Sequence, residues 1–207
     1  MILSDKWIRS KGEGMISPFV PSQVKTDDSG NRVVSYGTSS YGYDIRLGKG
    51  ALMVRYADVV DDGFGDTEAV AHIVDVHERE CTELAYADLY PVDRYGRKAY
   101  MIPPHSFVLG VSVERITVPD DVLVICQSKS TYARTGLVIN VTPLEPDWTG
   151  YITLELSNTT DAYIPVYEGE GIAQLLFLQG NEPCATSYKD RGGKYQDQPA
   201  RPVLPRV

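Results

Sequence analysis

Three stretches of this chain carry side chains of types and spacing suited to chemistry. The first is Ser128-Lys129-Ser130-Thr131-Tyr132-Ala133-Arg134-Thr135-Gly136. Ser128 can cap a helix start and Gly136 can stop it, so one or two turns fit between them. The free N–H groups at such a start are a seat for phosphate. Ser130 and Arg134, four apart, share a face, and Lys129 adds charge at the entrance. A plain polar connecting turn fits the same residues.

The second stretch is the run Tyr151–Ser157, in which Ile152, Leu154 and Leu156 alternate with Thr153, Glu155 and Ser157. That alternation predicts a strand with one apolar face, and it turns Glu155 away from the core beside Thr153. A strand glutamate is usually solvated; it becomes a candidate base where its face lines a pocket that shifts its pKa. The third stretch, Ser187–Gln198, holds Lys189, Arg191 and Lys194 around Gly192-Gly193, with Tyr188 and Tyr195. A flexible basic segment of this kind could close over phosphates, with Tyr188 stacked on a base or sugar. A solvated tail has the same composition.

Zinc-dependent base deaminases need a histidine and a thiolate pair in the pattern H-x-E…P-C-x-x-C, and the chain contains neither half of it. His72, His77 and Cys81 lie near one another in sequence, but their spacing is too loose to define a ligand set. No metal site is assigned to them.

The elements that must position these residues are mostly strands. Runs rich in β-branched and aromatic residues recur at Arg32–Ser35, Tyr43–Leu47, Ser106–Val113, Val122–Cys126, Leu137–Val141, Tyr151–Ser157 and Ile172–Leu178, with Gly, Pro and Asp between most of them. This is the pattern of an all-β barrel or sandwich. Ser4 is placed to cap a short amphipathic helix that turns Trp7 and Ile8 inward. Residues 58–98 read as an elaboration, with exposed turns expected at Asp61–Asp66 and Asp93–Lys98. At 207 residues, without repeats or a long linker, the chain fits one domain, 1–207, ending in a lid at about 187–207. The residues from Gln196 onward, rich in Pro and Gln, fit a mobile tail.

The formal net charge of −8 argues against general nucleic-acid binding and requires local cations for any phosphate. No run is long and apolar enough to span a bilayer, and the start lacks the layout of a secretory signal. Three widely spaced cysteines do not make a disulfide framework. A cytoplasmic location is expected.

Several segments together resemble the dCTP deaminase family of the dUTPase-like superfamily: Ser35–Asp44, Lys129–Arg134, Asn140–Pro146, Gly150–Thr160, Gly169–Phe177 and Thr186–Gln196. The resemblance implies a mainly β fold, a distorted β-barrel or jelly roll with short helices. It further implies a homotrimer with active sites between neighbouring subunits. Glu155 matches the catalytic glutamate, which activates water for attack on C4 of cytosine. Ser130 and Arg134 match residues that position that water and stabilise developing charge. Lys129, Ser130, Thr131, Tyr132, Ala133 and Arg134 match the segment binding triphosphate and base, and Thr153 and Leu154 flank the pyrimidine through their backbone. Gln174, Tyr188, Lys194 and Gln198 match further substrate contacts. The family binds its nucleotide with Mg²⁺ on the phosphates and uses no catalytic zinc, so the expected reaction is dCTP to dUTP and ammonia. A dUTPase or bifunctional enzyme forming dUMP, and a non-catalytic nucleotide-binding regulator, are the alternatives.

Overall fold

Strict alternation of burial along residues 149–158, every second side chain inside, makes this run a strand with one face in the core. The same period recurs through the chain, and the computed structural model is correspondingly built of strands. It describes residues 1–54, 57–61 and 67–207, with the backbone alone at 57–61 and 67–71. In chain order, the first part contains α1 (Asp5–Lys11), β1 (Ile16–Ser17), β2 (Val24–Thr26), β3 (Arg32–Ser39), β4 (Gly42–Arg46) and β5 (Ala51–Val54). Next come β6 (Ala57–Asp61), β7 (Thr67–Ala71), α2 (Arg79–Leu84), β8 (Tyr86–Leu89), β9 (Val92–Arg94) and β10 (Arg97–Ile102). The remainder comprises β11 (Phe107–Thr117), β12 (Val122–Ser128), α3 (Ser130–Ala133), β13 (Leu137–Asn140), β14 (Thr149–Asn158), β15 (Ile164–Tyr167) and β16 (Gly171–Gln179).

Two large antiparallel sheets dominate. One has the order β13-β14-β11-β5-β8, with β1 also paired to β11; the other runs β12-β16-β4-β3-β2. Their inner faces share one core, Val108, Ile116, Ile152, Leu154 and Leu156 from the first and Tyr43, Ile45, Val124, Leu175 and Phe177 from the second. The architecture is the jelly-roll-like sandwich that the strand pattern implies, with sheets that do not close into a continuous barrel. All seven strand runs read from the sequence are strands here.

Two buried carboxylates fasten the layers. Glu114, without solvent exposure, accepts from the Arg46 backbone N–H (2.9 Å) and Nε (2.7 Å). Burial still holds its carboxyl above the ordinary range against the pull of that guanidinium. Glu170 accepts from the Val34 N–H at 2.6 Å and from Arg97 at 2.8 Å. Beside it, a Cβ at Gly171 would sit 1.9 Å from the Ser35 carbonyl oxygen, so only glycine lets those backbones meet.

The segment 58–98 is partly woven into the main fold. β8 extends the first large sheet by pairing with β5, and β9 and β10 form a third sheet with β15. The expected turn at Asp93–Lys98 is a two-residue hairpin in which Tyr95 and Gly96 both have positive φ, 56° and 77°. The expected turn at 61–66 lies, apart from Asp61, outside the described residues. Ile8 of α1 is fully buried as expected, but Ser4 occupies the N-cap position without a side-chain cap bond.

Candidate active site

The outward face of β14 carries Tyr151, Thr153, Glu155 and Ser157, opposite its buried apolar row. Thr153 and Glu155 open into a cavity of about 290 Å³ whose walls include Val141, Leu144, Trp148, Ile152, Tyr188 and Tyr195. That volume is at the small end for small-molecule sites, ~300–1,000 Å³, enough for a base but not for a whole nucleoside triphosphate.

Glu155 is half-buried. Its position is fixed by cross-strand register: it lies directly opposite Asn140 of β13 and Leu109 of β11. Asn140 Nδ2 donates to Glu155 Oε2 at 2.9 Å. Burial holds the Glu155 carboxyl above the usual range, partly offset by that hydrogen bond. Behind it, the buried Cys126 thiol is pushed up to about 12, mainly by burial and in part by the Glu155 charge, and so stays neutral. The result is a carboxylate suited to taking up and giving back a proton.

The C-terminal segment closes the cavity. Trp148 Nε1 donates to the Tyr195 carbonyl (2.9 Å), and the Tyr195 N–H donates to the Tyr188 hydroxyl (3.0 Å). Gln198 pairs with Gly150 as a short parallel bridge, and its Oε1 accepts from the Thr153 hydroxyl at 2.7 Å. The chain then doubles back: the Val203 N–H donates to Thr153 Oγ1 at 3.2 Å, and Val203 and Pro205 complete the wall. Sequence reading made the residues from Gln196 onward a mobile tail, whereas they are stitched to the start of β14. Composition hid this because the bonds run largely through backbone groups. Gly193 has a packing role in this segment: a Cβ there would lie 2.0 Å from Tyr188 Cε1, so the glycine admits the ring. Arg191, expected to face phosphate, pairs with Glu145 and lies over the Tyr188 ring.

The other expected site residues gather elsewhere. The helix α3 starts one residue later than its sequence suggests: Lys129 is the N-cap, and the Ser128 hydroxyl instead bridges the N–H and C=O of Ile139. Gly136, at φ 86°, ends the turn as expected. Lys129 is not a free cation at an entrance; its ammonium is largely buried and paired with Asp44. The carboxylate of Asp44 also accepts from Gln23 Nε2 at 3.1 Å, while its Oδ1 is buried without a hydrogen-bond partner. Gln174, directly opposite Asp44 across β16 and β4, donates to Ser39 Oγ at 3.1 Å. Tyr132 is a core residue whose hydroxyl accepts from the Tyr167 N–H, and Leu154 is fully buried. Thr131 and Ala133 are exposed on α3.

Ser130 and Arg134 are exposed and do not line the Glu155 cavity; Arg134 Nη1 donates to the Ser130 carbonyl at 3.2 Å. They precede the Leu137 end of β13, whereas Asn140 and Glu155 sit at its other end, about 10 Å away at ~3.4 Å per residue. Lys194 also lies outside the cavity walls, near the Tyr195 ring. Thr153, Glu155, Tyr188 and Gln198 are therefore brought together, and Lys129–Arg134 with Gln174 form a second group. Among the described residues no three His, Cys, Asp or Glu side chains are gathered in a way that could hold a metal ion.

The profile of a family described as dCTP deaminase-like matches residues 2–180. The chain belongs to that family. It is 47% identical over its full length to a dCTP deaminase of Albidiferax ferrireducens, covering 99% of that protein. It is 49% identical to a dCTP deaminase of Bordetella pertussis, with 95% of each chain aligned. Among solved structures, a 2'-deoxycytidine 5'-triphosphate deaminase from Agrobacterium tumefaciens superposes with a TM-score of 0.53 at 21% identity. That match covers 86% of this chain and 48% of the longer one, and it speaks for the fold.

Membership of the family did not by itself bring out Asn140, Trp148, Tyr195, Val203 or Asp44 as parts of these two groups. Asn140 was within reach of pattern reasoning, because pairing the run at Leu137 antiparallel to the run at Tyr151 brings some residue opposite Glu155. The register that makes it Asn140 depends on the turn between the strands, which carries Pro143 and Pro146 and has no standard length.

Proposed function

We propose that this protein hydrolyses dCTP to dUTP and ammonia, with Glu155 as the group that moves the protons. The observation that carries the reading is a half-buried carboxylate with a raised pKa, held on the polar face of β14 in a base-sized cavity. The substrate named for its relatives supplies the ring on which that carboxylate would act. Glu155 accepts a proton from water as the water oxygen bonds to C4 and passes it to N3, so that the C4–N3 double bond becomes single. The tetrahedral carbon that results bears a hydroxyl and the amine. Transfer of the hydroxyl proton to the amine, again through Glu155, makes ammonia the leaving group; the C4–N bond to it breaks as the oxygen becomes the C4 carbonyl of dUTP. Thr153 and Gln198 face the ring with polar atoms, and Tyr188, Tyr195 and Trp148 exclude bulk water.

The active form on this reading is a homotrimer in which Ser130 and Arg134 of one subunit complete the cavity of its neighbour. Support comes from their exposure and their distance from Glu155 within a single chain. The triphosphate, too large for the cavity, would extend toward Lys129, Gln174 and Arg134. A Mg²⁺ ion carried by the phosphates would fit this second group, where Asp44, whose buried Oδ1 has no hydrogen-bond partner, is the oxygen-bearing side chain that would face it. When bound, the ion neutralises phosphate charge. Zinc is not required, since Glu155 activates the water directly. The three cysteines are free thiols, which suits a reducing compartment, and we place the enzyme in the cytoplasm.

A route onward to dUMP would need a second base near the α-phosphate. The other carboxylate lining the cavity, Glu145, is committed to Arg191. Chromatography of dCTP incubated with the purified protein and Mg²⁺ tests the proposal. dUTP is the expected product; dUMP with pyrophosphate would make the enzyme bifunctional, and unchanged dCTP would overturn catalysis. Light scattering should report three chain masses, and a fully active monomer would remove the shared site.

A further inference from the structure

We propose that Asn140 is a positioning residue for Glu155, its amide holding one carboxylate oxygen so that the other is left for the reacting water. The proposal rests on the reading of Glu155 as the proton-transferring group. Asn140 is the last residue of β13 and the direct cross-strand partner of Glu155, so the two side chains leave the sheet on one face, ~4.5–5.5 Å apart at their Cβ atoms. The hydrogen bond is 2.9 Å long, and an ionised carboxylate can only accept, so Nδ2 must be the atom that points to Oε2. Among the described residues no other side chain or backbone group hydrogen-bonds the Glu155 carboxylate.

The residue type matters as much as the contact. A lysine or arginine here would hold the carboxylate ionised and weaken it as a proton acceptor. An aspartate would share a proton with Glu155 and couple the two titrations. A neutral amide fixes orientation without adding charge. Within one chain the other groups bearing on Glu155 leave this task to Asn140; on the trimer reading Ser130 and the Arg134 charge of a neighbouring subunit also face the cavity, in the wild type and the Asn140 variants alike. Leu109 of β11 is apolar, and Cys126 of β12 is a neutral thiol. Tyr188, Tyr195 and Gln198 line the cavity from the C-terminal segment, and Glu145 is held by Arg191.

The test compares Asn140→Leu and Asn140→Asp with the wild type and with Glu155→Gln, using purified protein, dCTP and Mg²⁺ across pH. Both Asn140 variants change an exposed position, and melting curves verify that they are folded. Asn140→Leu should lower kcat roughly ten- to hundredfold through misorientation, with KM nearly unchanged. It should also move the acid limb of the kcat/KM profile to higher pH, since a hydrogen bond favouring the ionised form is gone. Asn140→Asp should move that limb further in the same direction. In the Glu155→Gln background Asn140→Leu should cost nothing more, because the positioned base is already absent. An Asn140→Leu enzyme with kcat within twofold of wild type and an unmoved acid limb would overturn the proposal. So would a full additional loss in the Glu155→Gln background. An active Glu155→Gln enzyme would instead show that the underlying assignment of the base is wrong.

Discussion

Glu155→Gln separates chemistry from architecture with little collateral change. The glutamine has the same shape, and its Oε1 can accept the Asn140 amide in place of Glu155 Oε2, so the cross-strand contact survives. What is lost is the ability to take a proton from water and return one to the leaving amine. General acid–base assistance is worth ~10²–10⁴-fold for a single transfer. With both transfers removed, kcat should fall by about 10³-fold or more while dCTP still binds. The stability consequence has a definite sign. Burial raises the native-state pKa of Glu155 above its unfolded value, so the native state holds that proton more tightly. The associated stability is complete below the unfolded pKa and disappears as pH rises through the native one. Glutamine does not titrate there. The melting temperature of the variant relative to wild type should therefore increase from pH 4 to pH 8. Turnover is read by anion-exchange separation of dCTP and dUTP, and stability by thermal unfolding at the two pH values. A variant that turns over dCTP within tenfold of wild type refutes the assignment of the base.

Three further outcomes are expected. Removing residues 187–207 should leave both large sheets folded by circular dichroism but raise KM and lower kcat at least tenfold, because Tyr188, Tyr195 and Gln198 leave the cavity wall; unchanged kinetics would make the segment catalytically idle. Trp148→Phe deletes the donor to the Tyr195 carbonyl and should cost about 1–3 kcal/mol in denaturant melts, with faster proteolysis near the C-terminus. Glu114→Ala strands the Arg46 guanidinium inside the sandwich and should destabilise by about 3–5 kcal/mol, whereas an unchanged melt would mean that water or a rearranged side chain replaces the pair.

What could be read without coordinates was whatever repeats locally. The alternation of Ile152, Leu154 and Leu156 with Thr153 and Glu155 fixes which side of β14 is dry, because a one-residue slip would reverse every side chain. The stop at Gly136 and the hairpin at Tyr95-Gly96 follow from backbone conformations that few residues adopt. Contacts spanning many residues were not legible in the same way. Asp44 meets Lys129 across a gap of 85 positions, and Thr153 meets Gln198 across 45. Neither pairing leaves a mark on local composition. Ser128 shows the same limit at short range: its hydroxyl satisfied Ile139 on the neighbouring strand and left the cap to Lys129, so tertiary pairing overrode a local preference.

The placement of Arg134 at the end of α3, outside the cavity that holds Glu155, has a genetic consequence. If each cavity borrows Arg134 from the next subunit around a three-membered ring, each subunit serves two sites, and a substitution at Glu155 damages a different one of them from a substitution at Arg134. Glu155→Gln and Arg134→Ala proteins, each silent alone, would then complement when dissociated and reassembled together. Every mixed ring, whatever its order, contains one junction where an intact Glu155 meets an intact Arg134. Random mixing in equal amounts would restore about a quarter of the sites, from two parents that have none.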